Sequence, residues 1–219
     1  MTIPARYLAA LRLLLALFTL VAVTATFFST AARATVNPFN FFGFFTIQAN
    51  ILAAVVLGGT AVLCLLGRRD PPWLGVARAA TTAYMIVVGI VYNTLLTGLT
   101  GGVALPWANT VLHVVFPLYC LADWLLFADR PAQPWRLLWL VLIYPVLWTT
   151  VVLLRGATDG WVPYPFLSPT AGYGSVFTYV LLIAVAFIAS GAAVWGLSRL
   201  RILTVRPVPA APESGRVRG

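Results

Sequence analysis

Six long apolar runs, a one-sided distribution of arginine and very little other charge specify an all-α fold. The expected architecture is a polytopic membrane bundle of six transmembrane helices with both termini in the cytoplasm. The 219-residue chain is 61% hydrophobic and 9% charged, with a mean hydropathy of +0.95. That composition has too little polar surface to cover a soluble globule. Six helices and their loops use nearly the whole chain, so one domain is expected over residues 1–200, followed by a disordered cytoplasmic tail over 201–219, rich in proline from Arg206 onward.

The spans fall near 8–28, 44–66, 75–97, 107–128, 136–154 and 176–198. Each is long enough to cross a ~30 Å hydrocarbon core at a rise of about 1.5 Å per residue. Turn formers separate them: Asn37-Pro38, Gly67 to Pro72, Gly98 to Pro106, and Asp129 to Pro134. The first run is followed by Ala32-Arg33-Ala34, which fits a cleavage pattern. At about twenty residues, however, the run exceeds the ~7–15 of a signal peptide's apolar stretch, so an uncleaved first helix is expected.

All 14 basic residues are arginine. Arg6, Arg12, Arg68, Arg69, Arg78, Arg130, Arg136, Arg199, Arg201, Arg206, Arg216 and Arg218 fall in the N-terminal segment, the even loops or the C-terminal segment. Arg33 and Arg155 alone fall in odd loops. Twelve against two orients both termini inward, in the cell membrane. The net charge of +9 is spread around apolar spans and forms no run, so membrane lipids rather than nucleic acid are the expected partner. Cys64 and Cys120 lie inside spans and read as small packing residues.

Ionisable groups within spans are the first place to look for function. His113 and Asp123 both sit on the fourth span, roughly 9 Å and 24 Å below its outer boundary at helical rise. Asp123 is expected to pair with Arg130, Arg136 or Arg69 at the inner interface. It is too far from His113 to orient it. His113 is the one histidine of the chain, so no metal site and no cofactor are expected. Asn109 shares its helix face.

In the second span, Thr46 and Asn50 share a face at a similar depth, and the third brings Tyr92, Asn93 and Thr97 to the same outer layer. A hydroxyl, an imidazole and amide donors are the parts of an acyl-transfer site: Thr46 as nucleophile, His113 as general base, and Asn109, Asn93 or Asn50 as oxyanion donors. The same residues also serve as hydrogen-bonding glue between helices.

The segments FFTIQANIL, opening the second span, and LHVVFPL, in the fourth, resemble a six-span family of actinobacterial integral membrane proteins, usually labelled Pr-six-Pr. Residues 160–166 and Gly172-Tyr173-Gly174 also resemble that family. The family is distantly similar to the eukaryotic androgen-induced membrane proteins, which are threonine hydrolases of fatty acid esters of hydroxy fatty acids. The resemblance implies a Thr and His catalytic pair, which falls on Thr46 and His113, and a fatty-acid ester as substrate. The alternatives are a non-enzymatic lipid-binding or helper module whose polar layer is structural, and, more weakly, a small transporter. The long outer loop from Arg155 to Ser175 carries Trp161, Tyr164 and Phe166 between prolines. It reads as an aromatic belt at the headgroup level, or as a lid over a cleft.

Overall fold

The computed structural model describes residues 2–97 and 105–206. The expected connection from Gly98 to Pro106 therefore lies largely outside the described residues, as does the tail from residue 207. Six helices are long and apolar enough to cross a membrane: Ala5–Ala31, Phe45–Leu65, Pro72–Leu96, Pro106–Leu126, Trp135–Thr158 and Tyr173–Leu197. Each matches an expected span to within a few residues at either end. Their apolar side chains point outward as well as inward: Leu14 is 64% exposed and Leu182 60%. A surface of that kind suits lipid and not water. The chain is a multi-pass helical membrane protein.

Proline sets several helix starts, because its missing N–H falls where no intrahelical partner is needed. Pro72 and Pro106 open the third and fourth spans, and Pro38 opens a short helical turn, Pro38–Phe41, ahead of the second. The side chain of Asn37 caps that turn by accepting from the Phe39 N–H at 2.9 Å. The third span is the most enclosed of the six. Around it Phe45, Tyr84, Tyr144 and Phe187 pack ring against ring, with centroids 5.3–6.2 Å apart.

Three expectations are corrected. Arg12 and Arg78 are not flanking residues; they lie inside the first and third helices and are 2% and 3% exposed. Removing them leaves ten arginines against two, so the asymmetry survives. Second, Asp123 pairs with Arg12 at 2.8 Å and Arg78 at 3.0 Å, not with Arg130, Arg136 or Arg69. Asp129, just past the fourth helix, completes a quartet by bonding the same two arginines. The cause is long-range packing: the two cations reach inward from helix faces where apolar neighbours deny them water.

Third, the segment 201–206 is ordered in part. Thr204–Arg206 forms a strand, β2, paired in parallel with Thr2–Pro4, β1, and Leu203 bridges to Phe127. That pairing puts the segment before the first helix and the segment after the sixth at one end of the bundle. The Arg–Asp quartet lies at this end, and Thr46 and His113 lie at the opposite end.

Candidate functional site

The opposite end is built from irregular backbone. The third helix finishes in a π turn over Tyr92–Leu96, and the fourth passes through another over Val111–Val115. Single π turns widen a helix locally and free backbone groups. Pro117 explains what happens to one of them. In π geometry the Leu112 carbonyl would accept from residue 117, but proline carries no N–H. Asn50, fully buried, supplies the missing donor: its Nδ2 bonds the Leu112 carbonyl at 3.1 Å and the Thr46 carbonyl at 2.8 Å. Both amide protons are thereby committed, and Asn50 joins the second helix to the fourth. It is not free to serve an oxyanion.

Thr46 stands in the first turn of the second helix, which Phe44 enters in extended conformation. Elsewhere in the bundle threonine hydroxyls bond carbonyls of their own helix four residues back, as at Thr19, Thr24, Thr26, Thr30 and Thr60. Thr46 instead meets Tyr164: its Oγ1 is 3.4 Å from the phenol oxygen, and its N–H donates to that oxygen at 3.3 Å. The N–H is one of the donors a helix start leaves without an intrahelical partner.

Tyr164 is the residue that sequence reasoning misplaced. It belongs to the loop expected to lie as an aromatic belt or as a lid over a cleft, and at 8% exposed, pointing into the bundle, it departs from the first of these. Burial raises the ionisation of its phenol above the ordinary tyrosine range, so it remains a neutral hydroxyl. Trp161, by contrast, stacks under Arg155 at 4.2 Å, as an interfacial side chain does.

His113 stacks on Tyr92 with ring centroids 3.8 Å apart. Its Nδ1 lies 3.0 Å from the Asn109 carbonyl. A carbonyl only accepts, so Nδ1 carries the hydrogen and the lone pair of the neutral ring resides on Nε2. Among the described residues Nε2 has no hydrogen-bond partner. Asn109 in turn donates to the Tyr92 hydroxyl.

Thr46 and His113 are not hydrogen-bonded to each other, but both line one apolar cavity of about 420 Å³, together with Asn109, Tyr92 and Tyr164. A second apolar cavity, about 280 Å³, lies between the third, fifth and sixth helices, lined by Val87, Leu142, Trp148, Ile183 and Phe187. The two cavities share Thr46, Tyr92, Leu96 and Tyr164. Of the three amide candidates, Asn109 alone joins Thr46 and His113 there. Asn93 is exposed and donates to the Gly89 carbonyl of its own helix at 2.7 Å, so it too drops out as an oxyanion donor.

These features define a class: a six-helix membrane bundle with a hydroxyl and an imidazole facing a shared apolar chamber. No protein-family model matches the chain, and no curated protein or solved structure matches it.

Proposed function

We propose that the protein is a membrane-embedded lipid-ester hydrolase, acting on esters of the fatty-acid type, with Thr46 as nucleophile and His113 as general base. The observation that carries this reading is the shared cavity. One wall presents the Thr46 hydroxyl, which meets Tyr164 instead of a carbonyl of its own helix, and another presents an imidazole with Nε2 unengaged. Attack by the Thr46 hydroxyl on an ester carbonyl needs a base for its proton, and Nε2 is the available lone pair. The Asn109 amide and the Thr46 N–H, once Tyr164 shifts off it, are donors for the developing oxyanion. The apolar lining suits an acyl chain and excludes water.

The arginine asymmetry supports an inward orientation for the β1–β2 end, which sets the reactive layer in the outer leaflet of the cell membrane. A second reading, a non-enzymatic lipid-binding module, draws support from Asn50, which uses the same layer to fasten two helices. An activity-based phosphonate probe for serine and threonine hydrolases separates them. Labelling of the purified protein that disappears in Thr46→Ala and falls in His113→Ala supports the hydrolase. Labelling indifferent to both substitutions leaves the binding module.

A further inference from the structure

We infer that the two chambers meeting at Thr46 take the two arms of the ester in a fixed sense: the acyl chain lies between the third, fifth and sixth helices, and the alcohol portion lies beneath His113. The inference rests on the hydrolase reading and adds a direction to it.

The argument is one of proton accounting. As the Thr46 Oγ bonds to the carbonyl carbon, its proton passes to His113 Nε2. Collapse of the tetrahedral intermediate then breaks the bond between the carbonyl carbon and the alcohol oxygen, and that oxygen must receive the proton from Nε2. Water next attacks the acyl-threonine, gives its proton to Nε2, and the proton returns to the Thr46 Oγ as the acid leaves. The departing alcohol oxygen therefore has to lie on the imidazole side of the reacting carbon. His113 lines the larger chamber and not the smaller one. The alcohol arm belongs with His113, and the smaller chamber is left for the acyl arm.

The smaller chamber fits that assignment. Its lining is mostly apolar, with Thr149 and Thr150 on the fifth helix among the exceptions, and Val146, 57% exposed, stands on its rim. It thus opens sideways onto the lipid-facing surface, where a chain can enter from the bilayer. Tyr164 stands at the junction of the chambers, its phenol over Thr46, and separates the two arms until the ester bond arrives.

The test uses the full-length Thr46→Ala protein in lipid nanodiscs and two hexadecyl palmitates. One carries a terminal diazirine on the acyl chain, the other on the alcohol chain. After photolysis and peptide mapping, the acyl probe is expected on residues 142–153 and 180–187, and the alcohol probe on residues 22–30 and 105–113. Ala184→Phe, which fills the acyl chamber from the sixth helix and leaves the loop untouched, should remove the acyl-probe labels and retain the others. Exchanged labels, both probes in one chamber, or labels confined to lipid-facing side chains such as Leu182 would overturn the assignment. Turnover by the wild-type protein is read separately. Polarised labelling without turnover rejects the hydrolase and keeps the two-chamber binding, whereas turnover without polarised labelling rejects only the direction.

Discussion

The bundle buries polar groups at both ends, and the two sets differ in how completely they are satisfied. At the β1–β2 end, Arg12, Arg78, Asp123 and Asp129 balance two positive charges with two negative ones, and each guanidinium reaches both carboxylates. The space beside Arg78 and Asp123 is about 10 Å³, room for one water molecule at most. At the other end the Thr46 hydroxyl meets only the Tyr164 phenol, at 3.4 Å, and His113 Nε2 is unengaged among the described residues, next to cavities of about 280 and 420 Å³. Polar groups inside a membrane protein are therefore not equivalent evidence of function. A charge network paired within itself reads as architecture, and the groups beside the chambers are the ones on which the proposed hydrolysis rests.

The sharpest break of that contrast is Thr46→Ala. Ester turnover should fall about 10⁴-fold, roughly 5.5 kcal/mol of barrier, while the melting temperature stays within error of wild type. Turnover that survives would move the nucleophile elsewhere. Arg78→Ala should do the reverse. Removing one partner leaves buried carboxylates uncompensated and costs about 3–5 kcal/mol of stability, seen as a large drop in thermal unfolding temperature in detergent. An unchanged melt would show that water reaches the quartet.

Tyr164→Phe keeps the ring and removes the hydroxyl. A loss of about 0.5–1.5 kcal/mol in unfolding is expected, with Thr46 still labelled by the phosphonate probe. Abolished labelling would make the phenol part of the reactive machinery.

The smallest effect concerns pH. Burial opposes the charge on Asp129, but Arg78 and Arg12 more than offset it and hold the carboxyl below the usual carboxylate range. A depressed folded value gives stability that is present above the unfolded value of about 3.9 and is lost as pH falls through the folded one. The melting difference between wild type and Asp129→Asn should be constant from about pH 5 to 8 and shrink only in stronger acid. A difference that varies near neutrality would contradict the pairing.

The spans were legible because apolar length and proline-bearing loops are local signals. The same is true of Thr46 and His113 as members of one layer, since helical rise alone sets their depth. The quartet was not legible. Arg12 and Asp123 are 111 positions apart, and an arginine eight residues into a helix looks from the sequence like a flanking charge. Asn50 was misread for a different reason. Its role depends on the π turn ahead of Pro117, and periodicity assumes regular backbone. Tyr164 was hidden by its company, because aromatics between prolines in an outer loop resemble an interfacial belt whether or not one of them turns inward.

The Arg12–Asp123 pair also joins the first helix to the fourth, elements that a chain made from its N-terminus produces at different times. A chain made from its N-terminus delivers Arg12 to the bilayer in the first helix, and its carboxylate partner arrives only with the fourth. Until the fourth helix is in place the guanidinium lacks that carboxylate, and an ionised side chain within a span is costly to leave unpaired. In the folded bundle β2 pairs in parallel with β1 at that same end, so segments from both ends of the described chain lie beside a charge pair that spans 111 positions.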